Sequence, residues 1–428
     1  MSDSGMRIVI VNTHSILNPG DAAIVLAELQ VLQERYPGLV VSITSRTPEL
    51  DRELYAPLGV TVRPAVIPAP SLYDGWRPKL AAGLKNLLSL GAKRRLRDDI
   101  RRSDLVISSG GGYFYSNKRH LPGLTFRQNV AHIRLARRLK KPLVYFPQSF
   151  GPVSSASAWR ALKRSLSGPH VVKILARDPA SFDLARTLLG PEDAAARLDL
   201  CPDVAFLLHG EKGSGPPPFA QDLPRPRMMV TLRHWDYPEA RGREEKKKRE
   251  DAYLRACAEI CRRYHQRWQG SVVVFPQVKG PGSFEDDRPV SKVFWGMIEP
   301  LLPGANRLFL DEPGLVSPHD VLAAVSHVDL VLATRTHSAI MALVAGVPVV
   351  SLGYQPKAAG TLKLLGLERF AAGIGDIDPR KVGDLVDEIL ADPAAVKEKI
   401  TKNLAEIRKT IARKLAAALS GSWIRPRR

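Results

Sequence analysis

Cysteine is scarce: three in 428 residues, too few for a disulfide framework. Cys257 and Cys261 stand four apart on an expected helix and share a face. No further Cys or His pair at matching spacing completes a zinc site, so both read as core thiols. No apolar run reaches the roughly 18–20 residues a membrane helix needs. The opening MSDSGMRIVIVNTH runs straight into a strand-like segment, without the apolar region and small-residue cleavage site of a signal peptide. The expectation is a cytoplasmic protein. Two nucleotide signatures are also missing: there is no Gly-x-x-x-x-Gly-Lys loop, and no Gly-x-Gly-x-x-Gly follows the first strand. Nucleotide hydrolysis and dinucleotide redox chemistry therefore lack support.

What is abundant is positive charge, +20 net at pH 7. It gathers at Lys93-Arg94-Arg95 to Arg101-Arg102, at Arg241 to Arg249 and at Lys397 to Arg428. The first and last clusters are interrupted by Leu, Ile and Ala, as helices with basic outer faces would be. Three readings compete: a plain solvated surface, peripheral contact with anionic lipid headgroups at the inner face of a membrane, and nucleic acid. Aromatics at 7% and no nucleic-acid motif put the last behind the others.

Short apolar strands alternate with helices along both halves. MRIVIVNT, VVSITS, DLVISS, PLVYFPQS and VVKILARD read as strands of the first half. MMVTLRHW, SVVVFPQV, NRLFLDE, DLVLAT and VPVVSLG read as strands of the second. This alternation predicts an α/β protein with parallel sheets covered on both faces. Two Rossmann-like domains facing a cleft are expected, over residues 1–209 and 228–392. The Pro/Gly-rich stretch 210–227 joins them, and a basic helix and tail occupy 393–428. The halves echo each other, SDLVISSGGGYF against VDLVLATRTHSA. Each is an Asp-led strand opening into a special loop, where ligands bind in open parallel sheets.

The second of those loops carries the chemistry. Arg335, Thr336 and His337 stand between a strand's carboxyl end and a helix's amino end, where backbone N–H groups and the helix dipole favour an anion. Arg335 can make two-pronged contacts to carboxylate or phosphate, and His337 can move a proton near neutral pH. Lys357 follows the next strand. From Leu330 to Leu367 there is no Asp or Glu, which suits a phosphate-bearing donor. Arg233 is a second candidate clamp, and Gln277 a further candidate for the donor side. On the acceptor side, Asn18-Pro19-Gly20-Asp21 joins strand to helix, with Asp21 either capping the helix or binding a hydroxyl. Gly110-Gly111-Gly112 permits close backbone approach. Tyr113 and Tyr115 can stack on a sugar, and Gln148 closes another strand end. Asp203 either faces the cleft or sits in a turn.

In order and spacing these residues resemble the polysaccharide pyruvyl transferase family. The matching features are Asn18-x-Gly20-Asp21, Gly110-Gly111-Gly112, Phe146-Pro147-Gln148 with Gly151-Pro152, and Ala176-Arg177-Asp178 with Ser181. They continue through Pro202-Asp203-x-x-Phe206 to Arg335-x-His337 with Ala345-Gly346-Val347-Pro348. His14-Ser15-Ile16-Leu17 departs from the glycine and aromatic residues that members often carry there. The resemblance implies a fold similar to two-domain B-type glycosyltransferases. It also implies transfer of a pyruvyl group from phosphoenolpyruvate to two hydroxyls of a polysaccharide or its lipid-linked precursor. A ketal forms and phosphate is released, with no metal or cofactor. Arg335 and His337 become donor-site residues with Arg233 as partner. His337 is then a candidate acid or base, with Asp21 or Asp203 in the complementary role. The alternative is a B-type glycosyltransferase using a nucleotide sugar. Such enzymes commonly carry a ribose-binding glutamate on the helix after the Arg-Thr-His loop, and this helix has none.

Overall fold

The computed structural model describes residues 5–67, 90–116, 122–209, 217, 219–311, 317–353 and 356–421. One sheet holds β1 (Arg7–Val11), β2 (Val40–Ser45), β3 (Thr61–Pro64), β4 (Leu105–Ser108), β5 (Gly111–Ser116), β6 (Leu143–Val153), β7 (Val171–Ala176) and β8 (Leu198–Leu200). Its order is β3-β2-β1-β4-β6-β7-β8, with β5 paired to β6. The second holds β9 (Arg227–Thr231), β10 (Ser271–Val274), β11 (Arg307–Phe309), β12 (Leu330–Ala333), β13 (Val349–Gly353) and β14 (Ala371–Gly373), in the order β11-β10-β9-β12-β13-β14. The pairings are parallel throughout. Every residue of β4, β9, β10 and β12 is buried, as helices on both faces require. Complete burial of Val272, Val273 and Val274 is worth about 1.5–3 kcal/mol for each side chain.

The strand order reverses direction beside β1 in one sheet and beside β9 in the other, so each sheet has a crevice at the carboxyl ends of its central strands. The sequence echo has a structural cause. Asp104 accepts the Arg7 N–H at 2.8 Å, and Asp329 accepts the Arg227 N–H at 2.7 Å. In both halves the leading aspartate thus brackets the start of the central strand.

Three local expectations are revised. Gly111 and Gly112 do not form a loop: they begin β5, because Gln148 on β6 donates from Nε2 to the Gly111 carbonyl at 2.6 Å. The helix Pro19–Arg35 is capped by Asn18, whose Oδ1 accepts the Gly20 N–H at 3.2 Å, and not by Asp21. The helix Pro393–Ala418 buries Val396, Ile400, Leu404, Ile407, Ile411 and Leu415, a four-and-three spacing that makes one stripe. It returns to the first half of the chain. Arg408 donates to the carbonyls of Phe206 at 2.8 Å and Leu208 at 3.1 Å, and Lys414 meets Asp199 at 2.6 Å. Part of the basic cluster is therefore spent inside the protein. Cys257 and Cys261 are fully buried, and burial pushes both thiols up. Among the described residues no helix is long and apolar enough to cross a membrane. Residues 210–216 and 218 of the expected linker, and 422–428 of the basic tail, lie outside the described residues.

Candidate functional site

β12 and β9 are tied at their carboxyl ends by the Thr334 hydroxyl, which donates to the Thr231 carbonyl at 3.0 Å. The chain then turns into the helix Thr336–Val344. Arg335 occupies the position before it and supplies no side-chain cap. Its guanidinium reaches Asp287 instead, with Nε to Oδ2 at 2.7 Å and Nη2 to Oδ1 at 2.5 Å, and Nη2 also donates to the Glu285 carbonyl at 2.8 Å. Asp287 is fully buried. Burial pushes its carboxyl up, and Arg335 opposes that push. This corrects the inference drawn from the acid-free stretch 330–367: an acid 48 positions upstream holds Arg335 in a two-pronged grip. The pair fixes the arginine's orientation beside the helix start.

His337 is the second residue of the same helix. Its Nε2 is 3.5 Å from Asp203 Oδ2 and has no partner at hydrogen-bonding geometry. Asp203 follows β8, and Arg177 follows β7. Arg177 Nη1 donates to Asp203 Oδ2 at 2.5 Å, while its Nε donates to Ser149 Oγ at 3.1 Å. The Ala205 N–H reaches Asp203 Oδ1 at 3.0 Å. Burial alone would raise the Asp203 carboxyl, but Arg177, His337 and the Ala205 N–H together outweigh it and hold the group well below the usual carboxylate range. A row of Arg177, Asp203 and His337 thus spans the two sheets, with a fixed negative charge facing the imidazole.

The other side of His337 is closed by Gly20. A β-carbon at that position would fall 2.3 Å from His337 Cβ and 2.5 Å from its Cγ, so the glycine is required by close approach. Gly20→Ala must therefore displace the imidazole. A displacement of about 1 Å costs on the order of 10²-fold in rate. We expect that loss in kcat while circular dichroism stays native; unchanged kcat would show that the placement of His337 is immaterial.

Asp21, next in the chain, accepts from Asn18 Nδ2 at 2.6 Å and faces His14 Nδ1 at 3.4 Å. His14 lies parallel to the Tyr113 ring, with centroids 5.6 Å apart, so one face of that ring is already covered. The Tyr113 ring fills the space where a β-carbon of Gly111 would stand. Tyr115, by contrast, is exposed. Arg46 Nη1 is 2.5 Å from His14 Nε2 and 3.1 Å from Glu285 Oε1. Burial would raise the Glu285 carboxyl, yet His14 and Arg46 hold it well below its usual range. His14 and Arg46 belong to the first half of the chain and Glu285 to the second, so this cluster latches the two together.

The remaining candidates are placed as follows. Gly112 lies against Arg177, 3.5 Å from Nη2 to the position of an added β-carbon. Thr336 opens the helix Thr336–Val344. The Arg233 guanidinium covers the Trp235 ring at 5.4 Å, and its charge is felt at Asp287. Gln148 and Gln277 were expected to face ligand. Both are buried and turned into the protein, Gln148 onto Gly111 and Gln277 onto Ser338 and Met341. Lys357 lies on the helix Pro356–Lys363, and its side chain is outside the described residues.

Four residues of the neighbourhood escaped the sequence reading, Glu28, Arg46, Glu285 and Asp287, while His14 and Arg177 entered it only through the family pattern, without a role. Glu28 had a signal, a lone acid in the apolar run AAIVLAELQVL. It is fully buried under the glycine turn and accepts the Gly110 N–H at 2.7 Å. Burial pushes its carboxyl from 4.5 up to about 8, so it is mostly neutral at pH 7. The native state then holds a proton that the unfolded chain releases. This contribution to stability is complete below pH 4.5 and is lost as pH rises through about 8, at a slope of up to ~1.4 kcal/mol per pH unit. Glu28→Gln should flatten that part of the profile of urea midpoints between pH 5 and 9. An unaltered slope would show that the buried carboxyl is not its source.

A family model described as polysaccharide pyruvyl transferase matches residues 18–356. Solved structures share the whole architecture. An Anabaena protein crystallised with UDP and glucose is 14% identical, with 97% of this chain and 99% of that one aligned at a TM-score of 0.55. The UDP-GlcNAc 2-epimerase of Neisseria meningitidis is 13% identical over 97% and 99%, with a TM-score of 0.56. A glycosyltransferase from Rickettsia africae is 9% identical over 98% and 100%, at 0.55. At such identities the likeness is one of fold, and it bears out the expected pair of Rossmann-like sheets in the B-type glycosyltransferase arrangement.

Proposed function

Because the chain belongs to the polysaccharide pyruvyl transferase family, we propose that it moves a pyruvyl group from phosphoenolpyruvate to two hydroxyls of a saccharide, giving a ketal and releasing phosphate. The observation that supports this most is the start of the helix Thr336–Val344. It opens at the crevice without a side-chain cap, flanked by Arg335 and His337. Its first-turn N–H groups and dipole suit one anionic group of the donor, and phosphoenolpyruvate carries two, a carboxylate and a phosphate.

The residues then divide the work. His337, facing the ionised Asp203, delivers a proton to the methylene carbon. The C2 atom becomes an oxocarbenium-like electrophile. A sugar hydroxyl attacks it and gives up its proton to Asp21, which adjoins the glycine that packs on His337. The bond from C2 to the phosphate oxygen breaks, and phosphate leaves over the helix start. The second hydroxyl closes the ring at C2 and gives its proton back to His337, while the proton on Asp21 passes to the departing phosphate. Asp203 moves no proton, since its surroundings keep it ionised; it positions His337. Arg335, fixed by Asp287, stabilises the departing phosphate. The helix Thr336–Val344 carries no carboxylate to take ribose hydroxyls, which weighs against a nucleotide-sugar donor.

The test is incubation with phosphoenolpyruvate and a panel of free, nucleotide-linked and lipid-linked saccharides. Phosphate release should accompany the matching mass gain on a sugar. Turnover with a nucleotide sugar, and none with phosphoenolpyruvate, would overturn the reading in favour of glycosyl transfer.

A further inference from the structure

The geometry points to a second anion site, remote from the cleft: a groove that binds a phosphate group between the helices Leu124–Arg138 and Ala156–Leu166. The groove encloses about 260 Å³ and is lined by Arg134, Arg137, Arg138 and Arg164. In a parallel α/β sheet the helices run back from the carboxyl ends of the strands. These arginines sit in the later turns of their helices, so the groove lies toward the end of the sheet away from the crevice.

Three observations set this cluster apart from ordinary surface charge. First, between Asp104 and Asp178 the chain carries thirteen Lys and Arg and no Asp or Glu. Second, three arginines on other helices are each neutralised by a carboxylate, Arg101 by Asp98, Arg186 by Asp183 and Arg249 by Glu245. Among the described residues none of the arginines lining the groove makes an ion pair. Arg137 is instead steered inward, its Nη1 donating to the Arg164 carbonyl. Third, Arg134 and Arg138 are four apart on one helix, as are Arg160 and Arg164 on the other. Like charges at that spacing repel and weaken a helix, and a bound dianion relieves both repulsions. The carbonyl ends of the helices reduce the positive potential but do not cancel four guanidinium charges. Guanidinium groups converging on one cavity match the oxygens of a phosphate, which takes paired N–H contacts. Two sources present that chemistry, a lipid headgroup and the free ion.

The experiment uses the full chain. Flotation with phosphatidylcholine vesicles, with and without phosphatidylglycerol, reads the lipid source, and calorimetry with inorganic phosphate reads the free ion. The groove variant is Arg134→Gln with Arg138→Gln and Arg164→Gln. The control neutralises three exposed cations of another cluster, Arg243→Gln with Lys247→Gln and Lys248→Gln. The wild type should bind at least one probe, more weakly at high salt. The groove variant should lose on the order of 100-fold in affinity and the control less than about threefold, by the same electrostatic argument. Groove-dependent binding to phosphatidylglycerol vesicles alone assigns the lipid source, and to inorganic phosphate alone the free ion; either supports the site. Arg138→Glu, at an exposed position, serves as the readout if the triple variant misfolds. Three results would overturn the proposal: neither probe binds, the control loses as much as the groove variant, or single-stranded RNA alone shows groove-dependent binding.

Discussion

Replacing His337 by alanine should lower kcat by roughly 10²–10⁴-fold, the range for loss of a positioned general acid, with the fold intact. The side chain is 15% exposed and its Nε2 lacks a hydrogen-bond partner, so removal strands no donor that the fold depends on. The residual kcat of the variant should carry no pH dependence from the proton donor if His337 is the proton source. Retention of wild-type kcat would remove His337 from the mechanism. A double variant sharpens the test. Alone, Gly20→Ala forces a β-carbon into the imidazole and should lower the unfolding midpoint. Combined with His337→Gly, which removes the Cβ 2.3 Å away as well as the ring, the same change loses its nearest obstructions and should cost less. Contacting residues are non-additive by about 0.5–3 kcal/mol. Additivity of the two would deny the close packing of the two helix starts.

Arg177→Met should be the most destabilising single change near the site, by about 3–5 kcal/mol at neutral pH. It strips the partner from Asp203, whose side chain is 5% exposed, and leaves a buried charge unpaired. The pH dependence follows from the depressed carboxyl. In the wild type the pair's contribution is present above the unfolded value of 3.8 and fades as pH falls through the lower folded value. In the variant that contribution is already gone, so its deficit should shrink in acid. Arg177→Met with Asp203→Asn should recover much of the loss, since replacing both members of a buried pair is far milder than breaking it. Urea midpoints at pH 7 and at about pH 2.5, below the unfolded value of 3.8, decide it. An equal deficit at both would mean that packing, not charge, is lost.

Much of the fold was legible because its signals are local. An apolar run between turn residues marks a buried strand whatever surrounds it, and β1, β4, β9 and β12 all lie where such runs stand. The position of Arg335 and His337 at a strand's end is equally local. Their partners are not. Asp203 reaches His337 from 134 positions away, and Asp287 reaches Arg335 from 48. A window of sequence free of acids therefore says nothing about the acids brought to it by other strands. Gln148 and Gln277 show a second limit. A polar side chain at a strand end serves equally to bind a ligand or to tie two backbone segments, and only the neighbouring strand decides between them.

The helix Pro393–Ala418 has a consequence for how the molecule is made. Arg408 satisfies the carbonyls of Phe206 and Leu208 across 202 and 200 positions, and Tyr36 donates to the Leu419 carbonyl across 383. A ribosome that has finished the first sheet has still to add those residues, at about 5–20 per second. For that interval the first half waits with one flank uncovered while the second half is threaded past it. Early ribosomal termination, or a stall ahead of residue 393, would release a chain whose first sheet is complete in sequence yet unfinished in surface.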